Sequence, residues 1–434
     1  LPRLNGARIL AALFVVYAAV GGAMLAVMVP PFCNADETAH FLRADQVASG
    51  VMVAARPGGL VDPGISEASR VFDGVRDHPG VKVSPAMLLQ AGRIGWGGAI
   101  DGGFPNTALY PPTGYFPAAA AIRAGQHLGW PIARTLIAAR LVNAAVCIAV
   151  CAVAIALSGG MAVALFTILC LPMSLALFAS VSQDWALIAA AALAVAALGR
   201  GARGWWLLVV CACLCVLAMS RPPYLALAVV LLTPAAWRGL GAVFVLAAVL
   251  IWSCCVGPVA AAIVRPGGID PAGQIAWLLR HPALLYQVPI VVLVHQWADG
   301  LPYARQFIGV LGSLDVALPG AYIGAAWGAI GLALMQAQGA ALSMRGRLSV
   351  LGAILASGAA LFAVQYLTWT EIGSHLVEGV QGRYFLPLAL FGPLVLPRAG
   401  APARLAYLAY VPVAAFPVLS IAIAVHAVVH RYYL

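Results

Sequence analysis

The sequence predicts an all-α polytopic membrane protein, and three observations carry that prediction. The 434 residues are 63% hydrophobic and 9% charged, with a mean hydropathy of +0.97, a balance foreign to soluble globular domains. The apolar residues fall in runs of about 15–25, long enough at 1.5 Å per residue to cross a hydrocarbon core. These runs are rich in Ala, Leu, Val and Gly, which permit close helix approach. The short alternating segments of a β-barrel do not occur in the sequence.

Charge sets the threading. With Arg3 and Arg8 in the cytoplasm, the first helix, residues 9–29, leads out, and residues 30–134 form a first external loop. A signal peptide could begin this way, but the run is longer than a signal core and no small-x-small cleavage pattern follows, so a retained signal-anchor helix is expected. Helix two covers 136–157 and turns at Ser158-Gly159-Gly160; helix three covers 161–180, and helix four, 184–199, returns to Arg200 and Arg203. Helix five (205–219) exits at Ser220-Arg221-Pro222-Pro223-Tyr224, helix six (224–236) re-enters at Trp237-Arg238, and helix seven (241–264) exits again.

A second external loop covers 265–319. Helix eight (320–338) leads in to Arg345 and Arg347, helix nine (348–367) leads out, helix ten (384–396) leads in to Arg398 and Arg404, and helix eleven (406–428) leads out. The chain, 1–434, thus reads as a single integral membrane domain of about eleven spans, amino terminus inside and carboxyl terminus outside. No short loop given to the cytoplasm carries an acid, and all 14 Asp and Glu fall in external loops or at external helix ends. Within the first loop, residues 51–101 read as irregular and 117–129 as a short amphipathic helix. In the second, 282–294 is apolar but too short to span, so an interfacial or re-entrant helix is expected.

The net charge of +10 comes from dispersed arginines, which suits a bilayer and gives no nucleic-acid signature. Eight of the nine cysteines lie inside apolar runs as small core residues, and Cys33 has no obvious partner. The Cys211, Cys213, Cys215 alternation lacks His or carboxylate company and is not a metal site.

Five positions assigned to the outside carry the chemistry. Directly after the first helix come Asp36, Glu37, His40 and Arg43, ionisable groups placed where such groups are costly. If a helix begins near Ala35, Asp36, His40 and Arg43 share a face. A carboxylate one turn from an imidazole suits general-base catalysis, and Asp36 with Glu37 suits a divalent cation such as Mg or Mn; an N-cap with a solvated acidic first turn is the bland alternative. The second position is Asp184, at the mouth of two tightly connected helices, and the third pairs Arg221 with Tyr224. The fourth lies in the second loop, with Arg280, Gln306 and Asp315. The fifth groups His375, Gln381, Arg383 and Tyr384, where the guanidinium fork of Arg383 suits a phosphate in a low-dielectric setting.

Three separated segments carry a family resemblance. Asp36-Glu37-x-x-His40-Phe41-x-Arg43-Ala44, Phe307-Ile308-Gly309-Val310-Leu311-Gly312-Ser313-Leu314-Asp315, and Gly379 to Pro387 with Gln381-Gly382-Arg383-Tyr384 resemble, in this order, a bacterial family of multi-pass membrane proteins, domain-of-unknown-function family 2142. That family is similar in layout to the GT-C glycosyltransferases, which have a cytoplasmic amino terminus, a large first external loop with a catalytic acid just after helix one, and a polyprenyl-phosphate-sugar donor. The resemblance implies an enzyme of the bacterial inner membrane with an external, periplasmic active site. It would move a sugar, with inversion, to an acceptor hydroxyl of an envelope glycan or lipid-linked acceptor. Asp36 or Glu37 would be the base, His40 an assistant, and Arg383 with Arg221 the phosphate ligands. A flippase or exporter of lipid-linked sugars, or a non-catalytic subunit of a polysaccharide-assembly complex, remains the alternative.

Overall fold

The computed structural model describes residues 2–232, 236–265, 267–397 and 403–434, and it is built almost wholly of helices. Among the described residues, five helices are long and apolar enough to cross a bilayer: Gly6–Met28, Ile132–Leu157, Gly239–Ala261, Met344–Thr368 and Val413–Tyr432. Two bent pairs raise the number to seven if each is one span: Gly159–Leu169 with Pro172–Phe178, bent by 81°, and Pro271–Arg280 with Leu284–Ala298, bent by 107°. The protein is therefore a helical membrane protein, and among the described residues five to seven candidate spans meet that test, short of the eleven of the sequence threading.

Proline explains much of the difference. The expected third helix breaks before Pro172, whose ring disfavours helical geometry at the preceding residue. The expected sixth helix is a ten-residue 3-10 helix, Pro222–Leu231, opening on two residues without a backbone N–H. The expected tenth is a chain of short pieces, Gly382–Phe385, Leu386–Phe391 and Gly392–Leu394, with Pro387 and Pro393 among them. The helices Asp184–Gly199 and Trp205–Ser220 have 16 residues each, about 24 Å at 1.5 Å per residue. Asp184–Gly199 is buried along most of its length, so protein rather than lipid surrounds it. Arg398, proposed at the inner end of the tenth helix, lies outside the described residues.

The loops nevertheless sort into two groups. At one end, Gln338 N–H donates to Gly160 O (2.9 Å), Gly339 N–H to Pro397 O (3.0 Å) and Arg200 Nε to Leu157 O (3.3 Å). These are loops that the charge pattern assigns to one side. At the other end, Ala35 N–H donates to Gly312 O (3.1 Å) and Gly382 N–H to the Gln306 side chain (2.8 Å), while Lys82 Nζ reaches His430 O (2.7 Å).

The first loop is more ordered than its Gly- and Pro-rich sequence suggests. It contains the helices Pro63–Arg70, Asp73–Asp77 and Pro85–Ala91 and an antiparallel pair, Gly58–Val61 with Ile100–Gly103, in which Leu60 faces Asp101. The expected amphipathic helix is Phe116–His127, packed between Glu37–Ala48 and Ile132–Leu157. In the second loop, the apolar stretch becomes Leu284–Ala298, with Leu285, Ile290, Leu293, Val294 and Trp297 exposed, as on a helix that meets lipid.

One ion pair fastens the first span to this assembly. Arg140, fully buried in Ile132–Leu157, donates from Nε to Glu37 Oε1 (2.9 Å) and from Nη2 to Oε2 (2.5 Å). Its remaining donors take the carbonyls of Ala26, Val29 and Pro30, at the end of the first span, at 2.6 to 3.0 Å. Glu37 also accepts from the Asn34 side chain (3.0 Å) and from Val181 N–H (3.1 Å). Every polar group of the pair is thus satisfied, which is the condition under which a buried ion pair is tolerated. Removing one member strands the other charge: Arg140→Ala should cost about 3–5 kcal/mol. Asp36→Asn, one residue away from Glu37 and half exposed, should cost under about 1 kcal/mol. Thermal unfolding of the detergent-solubilised variants compares the two, and equal losses would remove the distinction drawn between the adjacent acids.

Candidate functional site

Asp36 and Glu37 part company through the backbone. Asp36 is the N-cap of Glu37–Ala48 with φ +59°, a left-handed conformation that Asp tolerates better than most residues. Its side chain makes no capping bond. It turns away from Glu37, and Oδ2 accepts from Arg383 Nη2 at 2.8 Å. The side chain of Asp36 is 51% exposed whereas that of Arg383 is 5% exposed, so a buried cation meets a carboxylate open to solvent.

A second carboxylate stands behind the first. Asp184, the first residue of Asp184–Gly199, accepts from Arg221 Nη2 at 2.7 Å through Oδ1 and lies 3.6 Å from Arg383 Nη1 through Oδ2. The Arg221 guanidinium lies 3.9 Å from the centroid of the Tyr384 ring, a cation–π contact, and Tyr224 donates its hydroxyl to Tyr384 O at 2.6 Å. Two arginines thus face two carboxylates where the beginnings of four helical segments and the end of Trp205–Ser220 converge. The three resemblance segments, far apart in sequence, are adjacent here. Gly382 is essential to the closeness: a Cβ on it would lie 2.2 Å from Tyr303 O and 2.6 Å from Phe307 N. Gly312, at φ +63°, lets the 307–315 segment turn against Ala35. Beside Arg383 lies a cavity of about 20 Å³, lined by Asn34, Ser180 and Gly312 among others, with room for about one water.

His40 lies one turn beyond Asp36, buried, with Nδ1 2.7 Å from the Tyr115 hydroxyl and its ring stacked on Tyr110. Burial pushes its imidazole down to about 4; Asp36 and Asp184 oppose the shift, and Arg383 and Arg221 assist it. His40 is therefore neutral at pH 7, and either ring nitrogen can carry its single proton.

The other expected site residues divide. Gln306 supports the Gly382 turn, and Gln381 enters it with Oε1 buried and without a hydrogen-bond partner. Arg43 is fully buried and turned the other way: it donates to Gln46, Val51 O, Met52 O and Tyr110 O, and so ties the first loop down rather than awaiting a phosphate. Asp315 pairs with Arg431 at 2.6 Å and accepts from the Tyr432 hydroxyl at 3.1 Å, clamping the last helix. Arg280 and His375 are exposed and join no contact of the cluster. The expected Asp36 and Glu37 cation site is corrected by geometry: both Glu37 oxygens are spent on Arg140, and Asp36 points to Arg383. Among the described residues, no group of three His, Cys, Asp or Glu side chains is disposed to hold a metal ion.

Sequence reasoning missed Arg140, although an arginine enclosed by apolar residues, as in Ile132–Leu157, is itself a signal. It also missed Tyr110 and Tyr115, which stand just before the amphipathic helix and carry no local mark of their place beside His40.

A pH dependence follows from His40. Its unfolded value is near 6.5 and its folded value about 4, so between these the unfolded chain holds more protons and stability falls as pH is lowered. Asp45, whose carboxyl burial raises to about 6, contributes the opposite slope in part of this window. The informative quantity is therefore the difference between wild type and His40→Gln in detergent melting curves from pH 7 to 4. The wild type should lose stability relative to the variant on acidification, and parallel curves would contradict a neutral buried imidazole.

The comparisons with known proteins bear on the family. A family of membrane proteins, described as predicted membrane protein (DUF2142), matches residues 20–391, the greater part of the chain and all three resemblance segments. No curated protein and no solved structure matches. The chain belongs to the DUF2142 family of membrane proteins.

Proposed function

We propose that the protein is a GT-C-like membrane glycosyltransferase that moves a sugar from a polyprenyl-phosphate carrier to an acceptor hydroxyl of an envelope glycan. The single observation that carries this reading is the Asp36–Arg383 contact, a half-exposed carboxylate on a buried guanidinium, with Arg221 behind it. On this reading the membrane is the bacterial inner membrane, the amino terminus is cytoplasmic and the cluster faces the periplasm. The shorter apolar helices, Asp184–Gly199 and Trp205–Ser220 among them, complete the crossings of an eleven-span threading.

The chemistry is a direct displacement. Asp36 Oδ1, which has no partner among the described residues, takes the acceptor's proton as the acceptor oxygen bonds to the anomeric carbon. The bond from that carbon to the phosphate oxygen breaks, its electron pair stays with the carrier phosphate, and the configuration inverts. Arg383 and Arg221 neutralise the departing charge in a setting where burial strengthens their pull. His40, neutral and fixed on Tyr115, donates or accepts one hydrogen bond at the rim and is not the base.

Reconstituted protein supplied with a polyprenyl-phosphate sugar and an envelope-glycan acceptor tests this. Asp36→Asn should lower transfer by about 100-fold or more, since general-base assistance contributes typically 10²–10⁴. Its melting temperature should stay near that of wild type. Undiminished transfer by that variant would end the assignment of Asp36. Movement of the lipid-linked sugar across vesicles without any transfer would favour a carrier instead.

A further inference from the structure

A second cavity lies away from the Asp36 cluster. It has a volume of about 740 Å³ and opens where the 199–204 turn faces the beginning of Met344–Thr368. Its walls are apolar, with Leu207, Val230, Val350 and Leu394 among them, and Arg200 and Arg203 belong to its lining. Both arginines are exposed. Arg200 Nε contacts Leu157 O, and its guanidinium lies 5.3 Å from the Trp206 ring; the Arg203 side chain has no partner among the described residues. No acidic residue occurs from 185 to 269, from 316 to 370 or from 379 to 434, the stretches that supply the entire lining. The cavity therefore joins uncompensated positive charge to a greasy wall.

Its depth is set by the helices that lead to it. Asp184–Gly199 has Asp184 in the candidate site at one end and the cavity turn at the other, about 24 Å away by helical rise, and Trp205–Ser220 runs back to Arg221. That separation approaches the thickness of a hydrocarbon core, so the cavity stands at the opposite membrane interface. Trp205, 59% exposed beside Trp206, is the residue type that marks that level.

We infer that this cavity binds one anionic phospholipid, its phosphate on Arg200 and Arg203 and the upper part of an acyl chain against Leu207, Val230, Val350 and Leu394. Guanidinium forks suit a phosphate, and a headgroup at the interface keeps the charge hydrated while the chain fills the cavity. The inference is independent of what the Asp36 cluster catalyses.

Native mass spectrometry and thermal shift of the purified full-length protein test it with three probes. These are phosphatidylglycerol, phosphatidylcholine with the same chains, and inorganic phosphate. Phosphatidylglycerol should be retained as one tight copy at least about tenfold more strongly than phosphatidylcholine, and should raise the melting temperature. The Arg200→Ala, Arg203→Ala double variant should lose that preference about tenfold. Because both side chains are exposed, the variant should fold, which circular dichroism checks; Arg70→Ala, in the first loop, is the control. In a second variant, Val230→Trp, a bulkier side chain at the apolar wall should weaken retention while leaving both arginines. Equal retention of the two lipids, or an unchanged preference in the folded double variant, would overturn the proposal. So would protection by inorganic phosphate equal to that by the lipid, since the ligand would then be a free anion and the apolar wall irrelevant.

Discussion

The buried contact between Arg140 and Glu37 is the constraint on which the candidate site depends. A guanidinium in an apolar helix must find acceptors for its donors, and Arg140 finds them in one carboxylate and three carbonyls at the exit of the first span. That demand fixes where the first span ends, how the chain turns and where the next helix begins. Val181 N–H, bonded to the same carboxylate, brings the segment before Asp184 into register with the turn. Asp36 is thus held opposite Arg383 and beside Asp184 by a pair that takes no part in the cluster itself.

Two neighbouring acids illustrate how little sequence adjacency decides. Asp36 and Glu37 are chemically alike and consecutive, yet one is half exposed and the other fully buried. The difference arises from a single left-handed residue, after which the side chains point in unrelated directions. Strain of this kind, of order 1–3 kcal/mol, persists only where surroundings over-determine the backbone, and here Arg140 on one side and Arg383 on the other do so.

The membrane class was legible because it depends on total apolarity, which composition reports directly. The convergence of Asp36, Asp184, Arg221 and Arg383 was legible in part, because charges excluded from apolar runs must gather where helices end. The span count was legible only coarsely, because hydropathy reports the desire to leave water and does not distinguish lipid from protein as the new surroundings. Asp184–Gly199 is as apolar as any span, yet it is wrapped by other helices. Order in the first loop was also hidden: the Gly58–Val61 and Ile100–Gly103 pairing joins segments about forty residues apart, and neither has an alternating pattern. Arg43 and Asp315 show the remaining difficulty, since a charge that pins a loop and a charge that binds a ligand look alike until their partners are known.

The four charges of the cluster sum to zero, with His40 neutral among them. A balanced cluster exerts little long-range pull, so on the proposed reading an anion arriving at Arg383 would gain its place by exchange rather than by attraction. Asp36 is the carboxylate to be exchanged, because it is open to water while Asp184 is enclosed and held by Arg221. Once displaced, Asp36 needs a new hydrogen-bond donor. The ligands that satisfy both halves of the exchange are those carrying a negative oxygen and a hydroxyl a few ångströms apart, and a lone anion or a lone alcohol meets only one half.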